Sequence, residues 1–240
     1  MTTPDIYKTY VKWKDWDQTK FASFTKLDAL YFLQELNCSG ILLNNNLKIL
    51  EIGFGNGTFA GWAKANSLDY MGIEINPELV QRACEHGISA VIASGDLREA
   101  IPQRTFDVIV AFDVIEHMDL NDIINLLEQI RCLLKQGGLF IARIPSGDSP
   151  FSGAIQYGDI THRTILGSSA VRQLAAIIGF DLIQVRSPVL PLRGVGILRA
   201  FRRMGVLLAQ EIVGKFISVV FQDNRHTVIT ANMIFVFRLS

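Results

Sequence analysis

The sequence predicts an α/β fold: a doubly wound, mostly parallel sheet of seven strands, with an antiparallel last strand and a helical insertion before it. Two observations lead there. Short, nearly continuous apolar runs alternate with segments of helical periodicity through the middle of the chain, the pattern of a parallel sheet covered on both faces. The first such run, "KILEI" (Lys48 to Ile52), is followed at once by glycines at alternate positions, Gly53, Gly55 and Gly57, which mark a tight turn from strand to helix.

Taken in order, Lys48 to Ile52 reads as the first strand and Thr58 to Ala65 as a helix. "DYMGIEI" (Asp69 to Ile75) returns to strand, and Pro77 suits the first turn of the next helix. Ala90 to Ala93 and Phe106 to Phe112 follow as strands. The amphipathic helix from Leu120 to Leu134 carries apolar Ile123, Ile124, Leu126, Leu127, Ile130, Leu133 and Leu134, and Gly137-Gly138 is expected to end it. "LFIARIP" is the fifth strand. Ser169 to Ile178 then reads as helix, Phe180 to Val185 as strand, and "TANMIFVFRL" as a last, antiparallel strand added at the sheet edge. With right-handed crossovers this is one domain over 1–240: an N-terminal helical lid (1–46), a core (47–187), a helical insertion (188–226) and the final strand (227–240).

Bulk composition fits one substantial core: 240 residues, 49% hydrophobic and 19% charged. Lys plus Arg (23) balance Asp plus Glu (23), so no overall field draws the chain onto nucleic acid, and no nucleic-acid partner is expected. Three scattered cysteines (Cys38, Cys84, Cys132) without CxxC spacing exclude a disulfide framework or a thiolate zinc site and are expected to be reduced and mostly buried. The first residues lack an apolar core of the secretory type, and no charge-free run reaches the roughly 18 residues of a membrane span. A cytoplasmic location, with an option of the membrane surface, is the expectation.

The glycine turn occupies the place where doubly wound sheets bind ligands, outside the carboxyl ends of the strands. Dinucleotide sites need GxGxxG; here the position of the last glycine is Thr58, and the spacing is GxGxG with Glu51 two residues ahead. A carboxylate beside the turn opposes a pyrophosphate and suits a cation, so the pattern prefers an amino-acid sulfonium nucleoside to a dinucleotide. "GIEIN" places Glu74 at the end of the second strand, where a carboxylate takes ribose hydroxyls. "SGD" places Asp96 after the third, within reach of an adenine amino group. "FDVIVAFDVIEHM" delivers Asp113, Glu116 and His117 at the end of the fourth.

With "EIGFGNG", "GIEIN", "GD", "FDVIVAFDVIEH" and "LLKQGGLF" in that order, the chain from about Lys48 to Phe180 resembles the class I S-adenosylmethionine-dependent methyltransferases. That resemblance implies a Rossmann-like methyltransferase fold with S-adenosylmethionine as cofactor. It implies a floor of Gly53, Phe54, Gly55 and Gly57, with Glu51 at the methionine ammonium and Glu74 with Ile75 at the ribose. Asp96 and the Leu97 main chain would stand at the adenine, and Asp113 beside the methionine.

"YGDITHRT" resembles a segment of bacterial methyltransferases of glycans and glycan precursors, and "VIEH" is shared with ubiquinone-pathway O-methyltransferases. The favoured function is O-methylation of a sugar, glycan precursor or small polyol. A quinol or phenol, a small-RNA ribose, or a non-catalytic partner subunit are the alternatives. A sugar hydroxyl needs a base. Among the histidines, His86 reads as a surface residue ending a helix and His226 as a residue of a polar loop. His162 is expected as the base, Asp159 as its orienter or a sugar ligand, and His117 as support. Asp113, Glu116, His117 and His162 also resemble the metal site of small-RNA ribose methyltransferases, yet no metal is the favoured expectation.

Two segments flank this core. Between Leu190 and Val220 an apolar stripe (Ile197, Phe201, Met204, Leu208, Ile212) stands beside Arg193, Arg199, Arg202, Arg203 and Lys215. It is expected to cover the active site, join a homodimer or touch a membrane surface. Tyr10, Trp13, Trp16 and Phe21 are expected to fold over the cofactor or pack.

Overall fold

In the computed structural model of the chain, residues 13–14, 20–93, 95–102, 105–221 and 228–240 are described. Tyr10, Trp16 and His226 lie outside the described residues.

Seven strands form one sheet: β1 (Lys48–Ile52), β2 (Asp69–Glu74), β3 (Ala90–Ile92), β4 (Phe106–Phe112), β5 (Leu134–Pro145), β6 (Asp181–Arg186) and β7 (Asn232–Arg238), in the order β3-β2-β1-β4-β5-β7-β6. The pairs from β3 across to β5 are parallel, and β7 is antiparallel to both β5 and β6. The strand order reverses between β1 and β4, so their carboxyl ends open a crevice there.

The strands alternate between two apolar layers. One face packs under α1 (Lys26–Cys38), α2 (Thr58–Ala65) and α3 (Pro77–Glu85), through Phe32, Leu36, Phe59, Trp62 and Leu79. The other lies under α4 (Leu97–Ala100), α5 (Leu120–Leu133) and α7 (Ser168–Ile178), through Leu97, Leu127, Ile130, Val171 and Leu174. Among the described residues the remaining α-helices are the short α6 (Gly153–Gln156) and the long α8 (Ile197–Phe221).

Local chemistry sets the helix starts. Thr25 and Asp28 form a reciprocal capping box on α1. Asn76 caps α3 by accepting from the Glu78 N–H, with Pro77 in the first turn.

Five expectations need correction. The last strand is no edge strand: β7 lies between β5 and β6, because Met233 to Phe237 are apolar on both faces and Phe235 and Phe237 pack with Phe140 and Phe180. Gly137 and Gly138 lie inside β5 rather than at a helix end: α5 stops at Leu133, and the ladder jumps from Phe106↔Leu134 to Val108↔Leu139, leaving 135–138 as a bulge with Gly137 at φ +76. All three cysteines are exposed, since they fall on the outward sides of α1, α3 and α5. Within 1–46, α1 is a layer of the core rather than a loose lid, with Phe32 and Leu36 buried and Glu35 ion-paired to Arg186 beside β6. Finally, α8 turns its apolar stripe outward and contributes no wall to the cavity described next.

Candidate active site

The crevice at the ends of β1, β2 and β4 widens into a cavity of about 660 Å³. Its floor is the glycine turn. Gly53, Gly55 and Gly57 all have positive φ, and a Cβ on Gly53 would lie 2.5 Å from a Val114 methyl carbon. The conformation and the space both demand glycine there. Phe21 lies over Gly57 from the N-terminal side, 3.0 Å from where a Cβ would be, and the Ala22 N–H donates to Asn56 O, so residues 20–24 hold the turn from outside. Phe54 is buried beside it.

Two carboxylates stand behind the floor in different surroundings. Glu74, buried at the end of β2, accepts from three backbone N–H groups: Gly55 (3.0 Å), Ile75 (2.8 Å) and Asn76 (3.2 Å). Burial raises its pKa and these donors oppose the rise. Among the described residues Glu51 meets only the Tyr70 hydroxyl, which donates to it at 2.6 Å; burial pushes its carboxyl up to about 8, with Glu74 adding to the rise. Glu51 is therefore largely protonated at neutral pH. Asn56 is on the cavity wall, and its Oδ1 is buried with no hydrogen-bond partner among the described residues.

At the far rim, the Leu97 side of the wall faces the cavity, while the Leu97 N–H donates to Gln129 Oε1 at 2.8 Å. The Asp96 carboxylate caps α4 and pairs with the Arg98 guanidinium, which holds it down at about 2; it is not part of the cavity wall. Ile75 is on the wall. Asp113 is too, with φ +58, a conformation a non-glycine residue holds at a cost of about 1–3 kcal/mol. It faces the Arg143 guanidinium, Nε to Oδ1 at 2.8 Å. Arg143 is further held by the Tyr31 hydroxyl at 3.2 Å and lies over the Tyr31 and Phe112 rings.

The third group of residues lies where a short 3₁₀ turn (Ile115–His117) after β4 meets the loop 157–166. The N–H groups of Arg163 and Thr164 donate to Glu116 O and draw the loop in. Asp159 Oδ1 accepts from the Thr161 N–H (3.0 Å) and hydroxyl (2.5 Å), and Thr161 Oγ1 lies 2.8 Å from His117 Nδ1. Lys14 Nζ is 3.3 Å from Asp159 Oδ2. Thr161 and Lys14 together hold the Asp159 carboxyl at about 2 despite partial burial. His117 reaches the cavity wall; His162 is not part of it and sets its ring against His117, centroids 4.7 Å apart. The expectation that Asp159 orients His162 is thus corrected: the hydrogen bonds from Asp159 lead through Thr161 to His117, whereas His162 Nδ1 meets Gln156 O at 3.0 Å. Burial, and secondarily His162, lower the pKa of His117 from 6.5.

Glu116, His117 and His162 offer ligand atoms all within 4.8 Å of one another, and Glu116 Oε2 is buried with no hydrogen-bond partner among the described residues. Burial, with Asp113 adding to it, pushes the Glu116 carboxyl up to about 8. Two imidazoles and a carboxylate are a donor set for a divalent transition-metal ion. Asp113, the fourth residue expected in such a cluster, is turned to Arg143 instead.

A family model described as a methyltransferase domain matches residues 27–185, about two thirds of the chain. The chain belongs to the methyltransferase domain family. No curated protein matches it by sequence. Among solved structures, the methyltransferase fold is shared with a SAM-dependent methyltransferase from Archaeoglobus fulgidus (14% identity, TM-score 0.63, covering 97% of this chain and 99% of that one). It is shared with a TehB-like SAM-dependent methyltransferase from Corynebacterium glutamicum (16%, 0.59, covering 99% and 100%). A methyltransferase from Haloferax volcanii, solved in complex with the Trm112 methyltransferase activator, is similar as well (13%, 0.60, covering 98% and 95%). S-adenosylmethionine is accordingly the cofactor that the methyltransferase's cavity must fit.

Residues to which the sequence assigned no role complete the site: Arg143, Tyr31, Gln129 and Lys14. Arg143 had a readable signal, a lone guanidinium within the apolar run "LFIARIP". The others had none, since their roles depend on distant partners.

Proposed function

We propose that this methyltransferase transfers the methyl group of S-adenosylmethionine to a hydroxyl of a sugar, glycan precursor or small polyol, with His117 as the general base. The observation that carries this reading is the hydrogen-bond series Asp159, Thr161, His117. Asp159 is ionised and accepts the Thr161 hydroxyl proton, so Thr161 Oγ1 has only lone pairs to offer the imidazole. His117 Nδ1 must then be the donor, and the lone pair of the neutral ring is on Nε2. Burial favours that neutral form. A neutral, oriented imidazole at the cavity wall suits an alkyl hydroxyl, for which a positioned base contributes about 10²–10⁴-fold. His162, the base expected from sequence, becomes the ring that packs behind it.

The cavity fits the cofactor. The glycine turn lets backbone approach the ligand, Glu74 retains acceptor capacity for the ribose, and Asn56 stands on the cavity wall. Glu51 would hold the methionine ammonium, releasing its proton as the cation arrives. Leu97 would line the adenine, with Asp96 acting on α4 and Arg98 rather than on the base. Bound here, the cofactor supplies a sulfonium-activated methyl group; the chain's part is to align the acceptor oxygen and take its proton.

His117→Ala should lower kcat on a hydroxyl acceptor by about 10²–10⁴-fold while leaving cofactor affinity unchanged. Retained kcat would remove His117 from the chemistry. The partnerless Glu116 Oε2 supports a second reading, in which a divalent ion held by Glu116, His117 and His162 acidifies the hydroxyl by coordination. Activity lost to a chelator and restored by Mn²⁺ would select that reading over the base.

A further inference from the structure

The stripe Ile197, Phe201, Met204, Leu208, Ile212 and Val219 runs along α8, and each of these residues is more than half exposed. At 100° per residue they occupy one side of the helix. The opposite side is the one fixed to the body: Ile217 is buried, Gly214 lies against Ile229, and Arg203 donates to Pro191 O. Exposed Leu198, Phe216, Val220 and Phe221 carry the apolar surface farther round the helix, so α8 turns most of its apolar side chains outward. Over 25 residues it presents that surface for about 37 Å, well beyond a scatter of single exposed residues.

A second exposed apolar group, Phe151, Tyr157 and Ile160, flanks α6, with Tyr157 and Ile160 on the loop that also carries Asp159 and Thr161. The two groups adjoin the same short segment: the Ser149 hydroxyl donates to Ile229 O, and α8 rests on Ile229 at Gly214.

We infer that α8 and the 151–160 loop dock this methyltransferase on an anionic bilayer surface, where it meets an amphiphilic acceptor whose polar head carries the hydroxyl. Charge selects this occupant. The only ionisable residues from Leu190 through Gln210 are Arg193, Arg199, Arg202 and Arg203, all positive. Arg199 and Arg202 are exposed and three residues apart, so they neighbour each other on the helix surface, outside the apolar stripe. Farther along, Glu211 and Lys215 pair at 3.2 Å and cancel. Shape agrees. The exposed apolar surface is divided between a helix and a separate loop, which a fluid interface accommodates and a single rigid partner helix does not. By length and composition α8 also meets the requirement for crossing a membrane. Its attachment along Arg203, Gly214 and Ile217 lays it on the body instead, in the plane of a surface.

The acceptor class rests on the hydroxyl reading above, so the test separates the two. The full chain is sedimented with vesicles of phosphatidylcholine and with vesicles containing phosphatidylglycerol. The wild type should pellet with the anionic vesicles. Arg199→Glu with Arg202→Glu should weaken that binding about tenfold or more, and Leu208→Glu with Ile212→Glu should abolish it. Both variants should keep wild-type cofactor affinity, which shows that they are folded. A wild type that ignores anionic vesicles would overturn the inference, as would variants that bind them equally. So would a dimer in solution that Leu208→Glu splits while vesicles are ignored, since the occupant would then be a second copy. Vesicle binding without methylation of any hydroxyl would keep the surface and discard the hydroxyl reading.

Discussion

Replacing Glu74 by Gln changes one carboxylate oxygen to an amide NH₂ at constant volume. A carboxylate has about four acceptor positions. Three are taken by the N–H groups of Gly55, Ile75 and Asn76, which leaves one for a ribose hydroxyl; a second hydroxyl would have to displace the 3.2 Å bond from Asn76. In the Gln variant the carbonyl oxygen must stay with the Ile75 and Asn76 donors. The NH₂ then faces the Gly55 N–H, donor against donor, and offers the ribose no acceptor. Loss of one hydrogen bond to a charged group costs about 1.5–3 kcal/mol, or roughly 10- to 150-fold in Kd. Titration calorimetry with S-adenosylmethionine measures it directly. S-adenosylhomocysteine must lose as much, because the two ligands share the ribose and differ at sulfur. A Kd unchanged for either ligand would show that Glu74 serves only to pin the glycine turn, and the ribose assignment would fall.

Other consequences follow from the same geometry. Cofactor binding at neutral pH should release a proton, because Glu51 is protonated when its pKa is near 8 and ionises beside an ammonium; calorimetry in buffers of different ionisation enthalpy reads this, and Glu51→Gln should abolish the released proton. Glu51 and Glu116 both rise from 4.5 to about 8 in the folded chain, so folding takes up protons between those values. Their contribution to stability is complete below about pH 4.5 and is lost as pH rises through 8, and Tm of the cofactor-free protein should fall over that range; a flat profile would contradict the burial of both carboxyls. Thr161→Val breaks the connection from Asp159 to His117 without touching the cavity wall, so kcat should drop by about tenfold or more with a shifted pH profile and unchanged cofactor Kd. Gly61→Ala would drive a methyl group into the Ala22 carbonyl, 1.9 Å from where the Cβ would sit, and should loosen the N-terminal cover and raise the cofactor Kd.

The sequence by itself determined what depends on neighbours along the chain. Alternating apolar runs and helical periodicity gave the strands and their covering layers, and the glycines at 53, 55 and 57 marked the turn because positive φ is a property of single residues. Glu51, Glu74 and His117 were legible because each ends a strand or follows one, and strand ends converge on the crevice.

Tertiary structure decided whatever depends on residues far apart. The insertion of β7 between β5 and β6 follows from burial on both faces, which a terminal strand does not announce by position. Whether a carboxylate works in the cavity depends on its partner: Arg98 draws Asp96 away, and Arg143 engages Asp113 from 30 residues on. The proposed choice between two histidines rests on Thr161, which stands 44 residues from His117 and next to His162, yet turns its hydroxyl to the former. For α8, periodicity gave the stripe but not its direction. A helix with an apolar face has the same sequence whether that face meets the core or the surroundings, and only the packing of Gly214 and Ile217 on the body sends the stripe outward.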